Sequence, residues 1–208
     1  MLFELWLSFF VASAALLAIP GPTVMLVVSY ALGRGRSTGW WTVPGVTLGD
    51  FTAMTVSLLG AGAILAASAT LFTLLKIAGA AYLIWLGIKM WRAEPKLEDI
   101  QETVGRSSNF SMFWNSYVVT ALNPKSIVFF VAFVPQFIDI STPVFPQFVV
   151  LEVTFLTLAA VNVAIWAALA GTLRTRFKSV RTLKFINRCG GSFLIGAGLL
   201  TAAIRRSA

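Results

Sequence analysis

Six long apolar stretches, at approximately 2–32, 40–66, 70–92, 112–138, 145–172 and 184–204, take up most of this 208-residue chain. A helix needs roughly 20 mostly apolar residues to cross the hydrocarbon core of a bilayer. Each stretch reaches that length, and no room remains for a separate soluble domain. The chain is 58% hydrophobic and 12% charged. Soluble domains hold about 25% charged residues, so the balance is that of a membrane protein. The expected fold is an all-α membrane protein of about six transmembrane helices. Residues 1–92 and 112–208 each hold three spans, and a polar cytoplasmic linker, 93–111, joins them.

The first stretch is read as a retained span rather than a signal peptide. It is too long, carries Glu4 in place of a basic start, and contains Pro20-Gly21-Pro22. Cys189 is the only cysteine, which excludes an internal disulfide and a Cys-x-x-Cys redox pair. Histidine is absent, which weighs against a zinc site and removes the usual general base. There is no phosphate-binding Gly-rich loop with its lysine, so direct ATP drive is not expected. No cofactor and no metal are expected.

The net charge of +8 follows the span boundaries rather than forming a nucleic-acid patch. Arg34 and Arg36 follow the first span, and Lys89, Arg92, Lys96 and Arg106 follow the third. Arg174, Arg176, Lys178, Arg181, Lys184 and Arg188 surround the fifth-to-sixth connection. The alternate connections, near Ala67–Ala69 and Asp139–Phe145, have no Lys or Arg. By the positive-inside rule, connections one, three and five are cytoplasmic and both termini external. Arg205 and Arg206 stand against that orientation and are outnumbered.

The two halves repeat weakly. Pro22 precedes Asp50 by 28 positions, and Pro124 precedes Glu152 by 28. The third spans share a pattern, with Gly79, Tyr82, Leu83 and Gly87 in one copy and Gly190, Phe193, Leu194 and Gly198 in the other. Repeats of three spans must insert with opposite orientation. This is the inverted-repeat plan of many secondary transporters, with sites near the midplane where discontinuous helices meet.

Proline removes a helix hydrogen bond and clashes with the preceding turn. Pro20-Gly21-Pro22 therefore predicts an unwound segment, with Pro22 opening a new half-helix ahead of Thr23. Asn123 is a good N-cap with Pro124 at the first helical position, which predicts a second break. Half-helix N-termini favour an anion such as a carboxylate, and Lys125 adds a full positive charge. Asp50 lies about 15 Å into its span, near the bilayer middle. An ionisable group at that depth costs at least about 2.5 kcal/mol and faces a cavity or a partner. Asp50 and Glu152 are thus candidates for holding a substrate ammonium or a transported proton. The plainer alternative is a charge-balanced cluster that holds helices together. Asn162 is explained equally well by a helix–helix hydrogen bond. Gly45, Gly49, Gly60, Gly79, Gly87, Gly196 and Gly198 fit close helix approach, and Trp6, Trp40, Trp41, Trp91 and Trp114 fit the membrane interface.

The same residues carry a resemblance. Ile19-Pro-Gly-Pro22, Gly45-x-x-x-Gly-Asp50 and Gly79-x-x-Tyr-Leu-x-x-x-Gly87 are similar to the LysE/RhtB family of bacterial amino-acid exporters. Asn123-Pro-Lys125, Phe129-Phe130 and Phe133-x-Pro-Gln-Phe137 resemble that family's second-half signature. The match runs in order over nearly the whole chain. It implies export of amino acids or close derivatives from the cytoplasm across the bacterial inner membrane, driven by proton exchange. It also implies that Pro20, Gly21, Pro22, Thr23, Asn123, Pro124 and Lys125 bind substrate and that Asp50 takes part in coupling. The internal repeat, more than the family pattern, adds Glu152. The substrate stays open, as does a homo-oligomer. Three other readings are open: export of another small solute or a metal cation, a membrane enzyme or electron carrier, and a non-transporting assembly subunit. The last leaves the broken helices and deep charges without a purpose.

Overall fold

A computed structural model describes residues 2–92, 107–139, 141–173 and 180–203. Among these residues the chain is helical throughout, with no strand. Eight α-helices follow one another: α1 (Phe3–Ala18), α2 (Pro22–Arg34), α3 (Gly39–Ala67), α4 (Ala69–Arg92), α5 (Asn109–Ala121), α6 (Pro124–Val128), α7 (Val144–Leu173) and α8 (Val180–Ala203). A π-helical segment, Phe129–Phe133, and a 3₁₀ turn, Val134–Phe137, extend α6.

Among the described residues, three to four of the expected spans are present by length and composition. Three helical runs, Arg36–Ala63, Asn109–Phe137 and Val144–Ala170, are long and apolar enough to cross a membrane. The pair α1 and α2 makes a fourth if counted as one span, bent by 51° at its break. α4 and α8 are 24 residues each, and their described apolar parts are Ile77–Lys89 and Gly191–Ala202. The linker also ends earlier than read. Ser108 caps α5, accepting from Ser111 N at 3.1 Å, so residues 109–111 are already helical. The rest of the linker, 93–106, and the basic residues Arg174, Arg176, Lys178, Arg205 and Arg206 lie outside the described residues.

Gly35 ends α2 at φ +89°, a left-handed backbone that suits glycine, and its N–H reaches Ala31 O at 2.9 Å. A 3₁₀ turn, Arg36–Thr38, then leads into α3. Arg34 donates a side-chain hydrogen bond to Ser107 O, so the end of α2 and the start of α5 share one end of the bundle. α4 and α8 run antiparallel, and the Arg188 guanidinium lies 5.1 Å over the Trp91 ring. At the opposite end, Phe3 and Trp6 line an open groove of about 560 Å³ with Thr142, Pro143, Pro146, Gln147 and Val150. Trp6 Nε1 donates to Thr154 Oγ1 at 3.1 Å. Near that groove Asp139 accepts from Ser141 Oγ (2.6 Å) and Ser141 N (2.9 Å), which holds its carboxyl below the usual range. Trp40, Trp41, Trp91 and Trp114 are exposed, as interface anchors require.

Glycine decides which helices meet at backbone distance. A Cβ on Gly45 would lie 2.4 Å from Phe113 O, and one on Gly49 would lie 2.7 Å from Tyr117 O. α3 therefore rests on the backbone of α5. In the α4–α8 pair, a Cβ on Gly87 would meet Gly191 O at 2.6 Å and Ile195 Cγ1 at 2.8 Å. A Cβ on Gly198 would meet Ala80 O and Ile84 Cγ1, each at 2.7 Å. Ala80, Ile84 and Gly87 hold the places in the first copy that Gly191, Ile195 and Gly198 hold in the second. The contact is thus reciprocal between the halves. Gly79 packs on Ala132 of the π-helical segment. Gly60 and Gly196 do not serve close approach, because a Cβ on either meets nothing within 4 Å.

The central core is aromatic. Phe129, Phe130 and Phe155 are fully buried, with Phe130 and Phe155 edge-to-face at 4.8 Å between centroids. Phe133, Phe137 and Phe9 continue the stack. This packing holds the π-helical segment, and with it the second break, against α1 and α7.

Candidate functional site at the two helix breaks

α1 stops because Pro20 forces the preceding residue out of helical conformation. Ile19 sits at φ −79° and ψ 114°, as a residue before proline prefers. Gly21 is the N-cap of α2, Pro22 is its first residue, and no side chain caps this N-terminus. The last carbonyls of α1 are left without helix partners. Side chains from elsewhere take them up. Lys125 Nζ donates to Ile19 O (3.1 Å) and Leu16 O (3.3 Å), and Asn162 Nδ2 donates to Leu17 O (3.0 Å).

The second break is built as its sequence suggests. Asn123 Oδ1 accepts from Lys125 N at 3.1 Å, and Pro124 occupies the first position of α6. This break bends the chain less than the first, since Asn109–Phe137 forms a single span-length run. Its N-terminus is already capped, whereas that of α2 is not.

The two breaks meet. Thr23 Oγ1 lies 3.2 Å from Thr120 Oγ1, which donates to it, and 3.4 Å from Asn123 Nδ2. Lys125 is buried, and its Nζ sits 3.2 Å from where a Gly21 Cβ would stand. The ammonium therefore lies in the gap between α1 and α2. The bare Gly21 leaves it space. Its charge is aimed at the C-terminal end of α1, where the helix dipole is negative, and it flanks the N-terminal end of α2.

Asp50 is 3% exposed, and Lys125, also buried, is the opposite charge that acts on it. The reason lies one residue earlier. Gly49 lets α3 touch the last turn of α5, at Tyr117, Thr120 and Ala121, immediately before Asn123. Asp50 is thereby delivered to the second break. Glu152 is placed differently. It is half-buried on α7 and accepts from Thr55 Oγ1 at 2.6 Å. Thr55 stands about 7.5 Å further along α3 than Asp50, so Glu152 forms a neighbouring polar point rather than part of the Lys125 cluster. Sequence reasoning missed Thr120, Thr55 and the role of Asn162 as a cap on α1. Of these, only Asn162 gave a signal, as a deep polar residue. The groove at Phe3 and Trp6 is about 20 Å from the first break along α1 and shares no residue with the cluster.

An all-helical chain with span-length apolar helices, two meeting helix breaks and a buried pair of opposite charges has the build of a membrane translocator. The profile of the LysE type translocator family matches residues 14–203, and the chain belongs to that family. It is a transporter, not an enzyme. It is 31% identical over 207 residues to the homoserine/homoserine lactone efflux protein of Salmonella typhimurium, covering 100% of both chains. It is 29% identical over 204 residues to the leucine efflux protein of Klebsiella pneumoniae, covering 96% of this chain and 93% of that one. An uncharacterized membrane protein of Vibrio cholerae is 33% identical over 202 residues, 97% of this chain and 98% of the relative. No solved structure matches the chain.

Proposed function

We propose that this protein exports amino acids or close derivatives from the cytoplasm across the bacterial inner membrane, in exchange for protons. The observation that carries this reading is the meeting of the two breaks at Thr23, Thr120 and Asn123, with Lys125 and Asp50 beside them. A zwitterion needs a positive partner for its carboxylate and a negative one for its amine. The uncapped start of α2, from Pro20 and Gly21 through Pro22 and Thr23, offers free N–H groups and the positive dipole end, and Lys125 lies alongside. Asn123 and Pro124 hold Lys125 in register. Asp50 is the acidic group for the amine or for the returning proton. Glu152, half-buried at Thr55, is a second coupling carboxylate. The names of the Salmonella and Klebsiella relatives support homoserine-like or leucine-like cargo. The reciprocal glycine contacts of α4 and α8 support two inverted halves.

The test is flux. Purified protein in proteoliposomes is given labelled homoserine or leucine, with and without an imposed pH gradient. Gradient-dependent accumulation of at least one amino acid is expected. Absence of gradient-dependent flux across a panel of all the common amino acids and homoserine lactone would overturn the reading.

Orientation is part of the same proposal, with the end that carries Arg34 and Ser107 facing the cytoplasm. In a Cys189→Ser background, Ser37→Cys and Ser107→Cys should be shielded from a membrane-impermeant maleimide in whole cells, and Ser141→Cys should react. The reverse pattern would invert the topology. Labelling of Ser37→Cys and Ser107→Cys from opposite sides would break the shared end seen in the fold.

A further inference from the structure

A helix C-terminus in a low-dielectric setting gathers negative potential on carbonyl oxygens that no longer have N–H partners. At the end of α1 side chains engage three carbonyl oxygens, Leu16 O, Leu17 O and Ile19 O, of which Leu16 O also accepts from Ile19 N at 3.3 Å. Asn162 satisfies Leu17 O as a neutral donor. The other two are bridged by one ammonium, 3.3 Å and 3.1 Å away, and Asp50 is a buried opposite charge acting on it. Carbonyl oxygens are hard ligands. In broken-helix transporters, half-helix C-terminal ends of this kind coordinate a free coupling cation. Here the position is already filled, and the occupant is tethered to α6.

We propose that the Lys125 ammonium is a built-in monovalent cation. It occupies an oxygen site made by Leu16 O and Ile19 O, with the buried Asp50 as its counter-charge, so the protein needs no sodium or potassium ion to hold its broken helix together. The inference rests on the reading of the two breaks as the transport site and goes beyond it, since it assigns Lys125 a positioning role toward the α1 end. The arrangement has a structural consequence. Lys125 is anchored by its own N–H on Asn123 Oδ1, so its ammonium fastens the first break to the second. A free ion would satisfy the same oxygens without joining the two halves. Gly21 is the complementary adaptation, because a Cβ there would stand 3.2 Å from Nζ and crowd the amine out of the gap.

Removing the amine takes the Lys125 donor away from Leu16 O and Ile19 O. The prediction is read on thermal unfolding of purified protein in detergent micelles, in choline, sodium, potassium or lithium chloride at equal ionic strength. Parental protein should unfold at the same temperature in all four. Lys125→Ala should unfold earlier in choline and regain about 5 °C or more in saturating sodium or another small alkali cation. Lys125→Met keeps the bulk of the stem and should gain little or nothing from the ion. It also gives a second variant if the alanine protein does not fold. Adding Asp50→Asn to Lys125→Ala should abolish the ion's effect. A Lys125→Ala protein whose unfolding is identical in choline and in the alkali cations would overturn the proposal, as would a gain that survives Asp50→Asn. So would parental protein that is stabilised by sodium, or a Lys125→Met protein stabilised as strongly as the alanine variant. None of these readouts requires flux. Failure to find a transported amino acid therefore leaves this result standing, and failure here leaves the export reading to its own assay.

Discussion

Asp50→Asn is expected to reach the membrane at parental levels and to lose amino-acid accumulation driven by a pH gradient by at least about tenfold, the scale of a site coupling of about 1–3 kcal/mol. The amide keeps the size of the carboxyl and some of its hydrogen bonding, so α3 should still pack on α5. It cannot carry a proton, and it cannot answer the charge of a substrate ammonium. Exchange needs that competition, in which the amine displaces the proton on one limb of the cycle and the proton displaces the amine on the other. Asp50 is nearly inaccessible, and Glu152 sits at Thr55, apart from the Lys125 cluster. Glu152→Gln should cost less, because Glu152 is half-buried and already accepts from Thr55. The measurement is uptake into proteoliposomes with and without the gradient, alongside downhill counterflow. Gradient-driven accumulation intact in Asp50→Asn would place the proton elsewhere or remove it from the mechanism.

Gly49→Val should be the most damaging change outside the charged cluster. Its Cβ alone would stand 2.7 Å from Tyr117 O, 2.8 Å from Thr120 Cβ and 3.1 Å from Ala121 N. Two of these neighbours are backbone atoms and cannot rotate away. Overpacking of this kind costs about 1–3 kcal/mol. At this chain length that corresponds to a fall of a few degrees or more in unfolding temperature. The functional loss should exceed the loss in stability, since separating α3 from α5 also draws Asp50 away from Asn123 and Lys125. Gly60→Ala on the same helix is the contrast. Nothing lies within 4 Å of its Cβ, and alanine favours the helix by roughly 0.8–1 kcal/mol. It should be neutral or stabilising, with flux unchanged. Equal damage from the two substitutions would detach Gly49 from the packing argument.

The legible part of this protein lay in residues whose chemistry is stiff. Proline dictates its own φ and deletes a donor wherever it stands, so the ends of α1 and α5 could be read directly at Pro20-Gly21-Pro22 and Asn123-Pro124. A carboxylate deep in an apolar run is costly in any packing, which singled out Asp50. The direction of a long flexible side chain is another matter. Lys125 has a four-carbon stem, and nothing in its neighbours announces that its amine crosses to the end of α1. Asn162 caps that same end from α7, a pairing 145 positions apart in the chain. The first stretch bends by 51° at its break, a geometry that apolar length summed along the sequence does not carry. Glycine was half legible. Gly45, Gly49, Gly79, Gly87 and Gly198 do meet a neighbour, and Gly60 and Gly196 point into open space, yet all look alike as letters.

The α4–α8 contact restricts how the two halves can drift apart in sequence. Where side chain meets side chain, a larger residue can be offset by a smaller one opposite. At Gly87 and Gly198 the opposing atoms are the main-chain oxygens of Gly191 and Ala80, which no substitution can shorten. A side chain gained at either glycine therefore has no compensating mutation in the other half. However far the surrounding residues diverge, Gly87 stays tied to the backbone of α8 and Gly198 to that of α4.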